Sequence, residues 1–335
     1  MKETRASAPL VSVIIPLYNG GKYIAATLSS ILDQTYRQFE IVVIDDGSTD
    51  DGPSKVARFA ENHPGKVRMI THSDHANHGI AVSRNLGIRN AEGSLIAFID
   101  QDDLWVPQKL DKQVNALEKI PGGSLVYAKT AFIDEQGQAQ KFKGRYSTYG
   151  QGVSGKPLNV FGRLIDEDFI PNLTVLVRKS CLERVDCLVE GPHYEYEDWL
   201  LLSKLAYFYD FLFIPEVLAS WRVHENNFSA KIFYSGQFSR AEEHCTVALF
   251  SYLLNDSAAD KQAVRRYLRG RIWRLFLRAK SWGAGAQLLE EHASNLRRAF
   301  PENYLTIQIA WWCSKILPQV IASGLRRLRR HIVGV

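Results

Sequence analysis

Cysteine is scarce in this chain of 335 residues, and the four present, Cys181, Cys187, Cys245 and Cys313, form no CxxC pair and no metal-type spacing. That argues against a disulfide-stapled scaffold or a zinc knuckle and reads as reduced thiols. The polar start, residues 1–9, holds no apolar run long enough for secretion, so the expectation is a cytoplasmic chain. Internal repeats and low-complexity segments are lacking too. The first apolar strand is followed by Leu17-Tyr18-Asn19-Gly20-Gly21-Lys22 and not by GxGxxG. This excludes the dinucleotide fingerprint of an oxidoreductase and is a poor match to the basic, Gly-rich phosphate loop of a nucleotidyltransferase.

What is present can bury a core. Hydrophobic residues make up 46% and charged residues 23%, enough for one large or two modest domains. Short apolar, β-branched runs at 10–16 (LVSVIIP), 40–44 (EIVVI) and 95–99 (LIAFI) read as buried strands, with a further short strand at Val67–Thr71. Helical spacing covers 23–34, 54–62, 80–91 and 107–119, the last with Pro107 in its first turn. Strands alternating with helices predict an α/β fold with a mainly parallel sheet covered on both faces. Beyond Ser124 the pattern changes. Gly-rich and charged loops at 137–156 precede a strand at 172–177, a helix at 194–206 and a strand region at 211–221, and from Gln237 the periodicity is helical.

Polar turns follow three of the strands, at the edge where open α/β sheets bind ligands. In Asp100-Gln101-Asp102-Asp103, three carboxylates in four residues repel one another unless a cation sits among them. Hard ions such as Mg²⁺ or Mn²⁺ prefer such oxygens and complete their shell with substrate phosphates. A solvated turn or helix cap is the plainer alternative. Asp45 and Asp46 can accept from a ribose hydroxyl or a base N–H, although Asp-Gly-Ser is also common turn chemistry. Tyr18 can stack on a base or simply pack. Arg84 can reach a phosphate or base, or make a surface ion pair. Asp198, flanked by Tyr194, Tyr196 and Trp199, is a candidate general base, whereas a helix N-terminus also favours acids. In Trp221-Arg222-Val223-His224, Arg222 can clamp a phosphate, and His224 can ligate a metal or merely hydrogen bond.

Together the segments VSVIIPLYNG, IVVIDDGSTD, SRNLGI, LIAFIDQDD, YEDW and WRVHENNFS resemble, in order and spacing, family 2 of the glycosyltransferases with its GT-A fold. The resemblance runs from about Leu10 to Ser229. It implies an inverting transfer from a UDP-, GDP- or dTDP-sugar, with a UDP-sugar the first expectation, to a glycan or lipid-linked acceptor, assisted by Mn²⁺ or Mg²⁺. By position, Pro16, Tyr18 and Asp46 would hold the nucleoside, with Arg84 in the donor pocket. Asp100 and Asp102 would form the DxD pair, with Asp102 the metal ligand. Asp198 would be the base, and His224 would lie near metal and diphosphate. Gln101 and Asp103 depart from the usual small residues and leave the ligand pair open. No QxxRW signature and no set of spans is present, which favours single-sugar transfer over polymer synthesis. A nucleotide-sugar-binding protein without catalysis is the competing reading.

These readings divide the chain into a catalytic domain, 1–230, with a nucleotide-sugar half at 10–110 and an acceptor half at 111–230, and a helical region, 231–335. Charge divides unevenly: 261–335 holds 15 Lys/Arg against 3 Asp/Glu, net +12, leaving 26 against 33, net −7, elsewhere. Six arginines, Arg265, Arg266, Arg269, Arg271, Arg274 and Arg278, crowd one helical stretch. Ile316, Leu317, Val320, Ile321, Leu325, Leu328 and Ile332 recur at helical spacing beside Arg326, Arg327, Arg329 and Arg330. That predicts an amphipathic helix on an anionic membrane surface, the protein sitting peripherally on its inner face, with a helix packed on the domain as the alternative. Nucleic acid is not an expected partner, and its mark would be salt-sensitive binding.

Overall fold

A computed structural model describes residues 8–120, 123–141, 157–188, 190–191, 196–225, 227, 238–281 and 286–316. The chain gathers into two compact units. The first comprises 1–160, 168–191 and 205–224; the second comprises 161–167, 192–204 and 225–335.

The first unit is built on one sheet. Its strands are β1 (Val11–Leu17), β2 (Phe39–Asp45), β3 (Val67–Thr71), β4 (Leu95–Phe98), β5 (Leu104–Trp105), β6 (Leu125–Ile133), β7 (Ala139–Gln140), β8 (Leu176–Arg178) and β9 (Phe211–Arg222). They lie in the order β3-β2-β1-β4-β8-β6-β9-β5, with β7 paired to β6. β1 to β4 are mutually parallel, β8 runs antiparallel to β4 and β6, and β5 runs antiparallel to β9. β1 and β2 are buried along their whole length, which is why they read as unbroken apolar runs rather than alternating ones. Helices α1 (Ile24–Leu32), α2 (Gly52–Asn62), α3 (Ile80–Asn90) and α4 (Lys109–Glu118) follow the strands as the periodicity predicts.

Buried polar groups inside this sheet are satisfied. Ser12 Oγ donates to Glu40 Oε1 at 2.5 Å, the Glu92 N–H donates to the same oxygen at 2.7 Å, and Arg68 Nε donates to Oε2 at 3.0 Å. Burial alone would raise the Glu40 pKa; these three donors outweigh it and hold the carboxyl below its usual range.

Two segments differ from expectation. The strand expected at 172–177 begins as a 3-10 turn, Asn172–Thr174, because Thr174 turns back to the Pro171 carbonyl through both its N–H (2.9 Å) and its Oγ1 (2.8 Å). Strand pairing starts only at Leu176. The loop expected from Gly137 begins inside the β6–β7 hairpin, and residues 142–156 lie outside the described residues.

The second unit contains α5 (Phe161–Leu164) and four long helices near the C-terminus. The first unit's α6 (Lys179–Arg184) follows β8, and α7 (Glu197–Phe208) contributes its residues up to 204 to the second unit. The long helices are α8 (Phe238–Asn255), α9 (Lys261–Ser281), α10 (Ala286–Ala299) and α11 (Tyr304–Ile316). The arginine-rich stretch is α9, and half of it faces inward. Arg271 is fully buried with its Nη2 2.8 Å from Glu242 Oε1, Arg278 pairs with the same carboxylate at 2.6 Å, and Arg274 pairs with Asp166. These three are therefore not offered to an anionic surface; Arg265, Arg266 and Arg269 are exposed. The amphipathic segment expected at 316–332 lies outside the described residues from 317 onward. Among the described residues no helix is long and apolar enough to cross a membrane.

Candidate functional site

Strand register brings the three polar turns together. Leu17 of β1 stands beside Asp45 of β2, and Ile14 beside Phe98 of β4. The residues that follow, Tyr18, Asp46 and Asp100–Asp103, thus leave the sheet at one edge. Pro16 is buried in β1 opposite Ile44, while Tyr18 is 48% exposed at that edge.

Gln101, which looked like a departure, braces two of these turns. Its Oε1 accepts from the Tyr18 N–H at 2.9 Å and its Nε2 donates to the Tyr18 carbonyl at 3.1 Å. A Cβ on Gly20 would stand 2.1 Å from Gln101 Oε1, so glycine is what lets the amide in. Thr27 Oγ1 ties the other side of the turn, donating to the carbonyls of Gln101 (2.8 Å) and Asp103 (2.9 Å).

The acids divide by role. Asp45 Oδ1 accepts from the Ser48 N–H at 3.1 Å, as turn chemistry requires, with Gly47 at φ +78°. Asp46 is buried; its two oxygens accept from the N–H groups of His78 (2.7 Å) and Gly79 (3.0 Å), and His72 Nε2 lies 3.3 Å away. Asp100 accepts from Arg84 Nη2 at 2.6 Å, an ion pair in which Arg84 is the buried member. Asp103 points inward and accepts from the Arg222 N–H at 2.8 Å. Asp102 Oδ2 lies 2.8 Å from His224 Nε2.

His224 is held in turn. Its ring stacks on Tyr23 with centroids 4.8 Å apart, and the Tyr23 hydroxyl donates to Glu135 Oε1 at 2.9 Å, a carboxylate that also pairs with Lys22. Arg222 is committed to the protein: Nε donates to the Asp102 carbonyl (2.8 Å), and Nη1 to the carbonyls of Asp134 (3.1 Å) and Glu135 (3.0 Å). These bonds make it a strut between the acidic turn and the β6–β7 hairpin. Sequence reasoning passed over Tyr23 and Glu135, and marked Gln101 only as a departure from the family pattern. Of the two passed over, Tyr23 carried a signal, as an aromatic just past the first polar turn.

Burial raises the pKa of Asp102; the bond to His224 opposes this and the Asp100 charge adds to it. Burial likewise lifts Asp103 well above the usual range, with Asp102 and Asp100 pushing the same way. Such crowding is relieved by a cation. Among the described residues no group of three or more His, Cys, Asp or Glu side chains is placed to hold a metal ion. The donor set still suits a hard divalent ion that takes few protein ligands. Two ligands about 2.1 Å from one ion and adjacent in its shell stand about 3 Å apart, close to the 2.8 Å between Asp102 Oδ2 and His224 Nε2.

Asp198 belongs to the second unit. It lies in the first turn of α7, and its Oδ1 accepts from the Trp199 N–H at 2.7 Å. Of the aromatic residues that flank it, Tyr196 stacks on Trp199 with centroids 5.1 Å apart, and Trp199 Nε1 donates to the Leu164 carbonyl at 2.8 Å. Tyr194 lies outside the described residues.

A parallel β-α sheet extended by antiparallel strands, with polar turns collected at one edge, defines a GT-A fold. The family model for glycosyl transferase family 2 matches residues 12–182, and the chain belongs to that family. It is 30% identical to TuaG of Bacillus subtilis, a glycosyltransferase assigned provisionally to teichuronic acid biosynthesis, over 66% of this chain and 82% of that protein. It is 36% identical to WfgD of Escherichia coli, a UDP-Glc:α-D-GlcNAc-diphosphoundecaprenol β-1,3-glucosyltransferase, over 40% of this chain and 50% of that one. With an uncharacterized glycosyltransferase of Rickettsia felis the match is 29% identical over 73% of this chain and spans 38% of the relative's length. Among solved structures, Staphylococcus aureus TarS 1–349 in complex with UDP superposes with a TM-score of 0.64 at 18% identity, over 95% of this chain and 91% of that one. The mannosyltransferase PcManGT of Pyrobaculum calidifontis, in complex with GDP-Man and Mn²⁺, superposes with a TM-score of 0.55 at 21% identity, over 93% and 87%.

Proposed function

We propose that this protein transfers a single sugar from a nucleotide diphosphate sugar, a UDP-sugar first among the candidates, to a hydroxyl of a glycan or lipid-linked acceptor, with inversion. The observation that carries the reading is the Asp102–His224 pair, set at the same sheet edge as the exposed Tyr18. Tyr18 takes the nucleoside base on its face, beside the turns that Asp45 and Asp46 hold in shape. Asp102 and His224, with Asp100 next to them, would hold Mn²⁺ or Mg²⁺, which supplies positive charge against the departing diphosphate. Arg84 fixes Asp100, and Arg222 fixes the backbone of Asp102. Asp198 takes the proton from the acceptor hydroxyl; the oxygen bonds to the sugar's C1 from the face opposite the C1–O bond to diphosphate, which breaks, releasing the nucleotide diphosphate. UDP is favoured because UDP accompanies TarS and WfgD is a UDP-Glc enzyme; the GDP-Man of PcManGT keeps GDP in the screen. WfgD's diphosphoundecaprenol acceptor supports a lipid-linked substrate, and hence work at a membrane surface as a peripheral protein.

Calorimetric titration of the purified chain with UDP, GDP and dTDP, each with Mn²⁺ and with EDTA, tests the reading. One nucleotide should bind tightly only with the ion. Folded protein that binds none of the three would remove its main support.

A further inference from the structure

Helix α11 carries two apolar stripes, and only one is used within the described residues. Asn303, just before its first turn, and Ile307, Ala310 and Ser314 are buried, at spacings of four, three and four residues, where α11 packs against α9 and α10. On another face Leu305, Ile309 and Trp312, at spacings of four and three, are 70%, 44% and 58% exposed, and Tyr304 beside them is 53% exposed. Together with Tyr18 and Val217 these are the large hydrophobic side chains that stand exposed among the described residues. Four of the six therefore fall on one helix of 13 residues. Scattered single apolar residues on a surface are ordinary; a stripe at helical spacing marks a face that something covers.

Charge selects what covers it. From residue 303 to the end the sequence has no Asp or Glu, and it has Lys315, Arg326, Arg327, Arg329 and Arg330. Helix α9, packed beside α11, adds the exposed Arg265, Arg266 and Arg269. A second copy of the same chain would bring like charge against like. An anionic lipid surface attracts this charge, and its headgroup boundary suits a Trp and a Tyr flanked by aliphatic side chains. We propose that the outward stripe of α11, Leu305, Ile309 and Trp312, is the surface by which this protein docks on an anionic phospholipid bilayer. This rests on the reading that the enzyme works at a membrane, and it places a point of contact on α11, ahead of the amphipathic stretch expected at 316–332.

The test is co-sedimentation of the full-length chain with phosphatidylcholine vesicles, with and without about one-third phosphatidylglycerol. The native chain should bind the anionic vesicles and not the neutral ones. L305Q/I309Q/W312Q should lose binding more than tenfold while keeping its UDP affinity and helical circular dichroism. The single variant Leu305→Glu, at the most exposed position, should weaken binding and keep the native urea midpoint. Equal binding by native and triple variant would overturn the proposal. So would a native dimer in light scattering that the triple variant dissolves, since a second copy would then be the occupant. A native chain that binds UDP but no vesicle overturns the docking surface and leaves the transferase reading intact; one that binds vesicles but no nucleotide does the reverse.

Discussion

His224 Nε2 lies 2.8 Å from Asp102 Oδ2, although 122 residues separate the two in the chain. If the pair holds a divalent ion, its loss acts on nucleotide binding only when the ion is present. Asp102→Asn and His224→Ala should each lower the Mn²⁺-dependent UDP affinity by at least about tenfold, the scale of losing one partner at a metal site. Affinity measured in EDTA should not change. Equal losses with Mn²⁺ and with EDTA would mark the pair as a structural bond.

Arg222 gives a different signature. Its guanidinium donates to the carbonyls of Asp102, Asp134 and Glu135. Lysine cannot reproduce that fork. Arg222→Lys should therefore lower stability by about 2 kcal/mol in urea unfolding, with buried carbonyls left unserved. A residue that merely clamps phosphate would leave the urea midpoint unmoved and weaken UDP binding alone.

The sequence reveals one side of this site and hides the other. Strands β1, β2 and β4 are legible because both their faces are buried and their apolar runs are unbroken. β6 is not legible: Lys129 and Thr130 interrupt it, and nothing local says that Val126 and Tyr127 continue into the same sheet. Asp102 and His224 are legible as candidates, because carboxylate and imidazole are chemically conspicuous. Their pairing is not, since it comes from β5, just after the acidic turn, running antiparallel to the end of β9, just before His224, and periodicity carries no information on such register. For the same reason Gln101 reads as a departure in the sequence and as a brace in the structure. The arginines of α9 show the limit most plainly. Six cations on one stretch look like a charged face, yet Arg271 and Arg278 turn toward Glu242 in the interior.

Gly87, in the Ser83-Arg84-Asn85-Leu86-Gly87 motif, is fixed by packing and not by ligand chemistry. A Cβ there would lie 2.6 Å from Ile14 Cγ2 and 2.7 Å from Ile44 Cδ1, where α3 rests on β1 and β2. The gain in helix propensity from alanine, about 1 kcal/mol, is smaller than the overpacking of a closed core, about 1–3 kcal/mol. Gly87→Ala should therefore destabilise the protein in urea unfolding. It should also disturb Arg84, three residues earlier on the same helix, and so weaken UDP binding. A more stable variant would show that the helix can move away from the sheet.

Glu40 makes part of the acid sensitivity predictable. Its folded pKa lies below the unfolded value of 4.5, because Ser12, Arg68 and the Glu92 N–H favour the carboxylate more strongly than burial disfavours it. A depressed carboxyl contributes stability that is fully present above the unfolded pKa and is lost as the pH falls through the folded one. Glu40→Gln should lower stability at neutral pH and flatten its decline from about pH 5 to about pH 3. Parallel curves for the native chain and the variant would mean that Glu40 titrates alike in both states.

Asp198 separates catalysis from binding. It sits in the first turn of α7, where an acid is also favoured by the helix terminus alone, so position does not distinguish a base from a cap. Kinetics does. As the base, Asp198→Asn should leave UDP affinity and its Mn²⁺ dependence as they are while turnover of the donor falls by about 10²-fold or more. As a cap, it should shift the urea midpoint modestly and leave turnover of the folded fraction intact. Asp198→Glu adds a second reading, since a carboxylate one methylene longer recovers part of the turnover only if proton transfer is its task. Unchanged turnover in folded Asp198→Asn protein would take this residue out of the chemistry and return the search for the base to the other acids of the second unit, beginning with its buried neighbour Glu197.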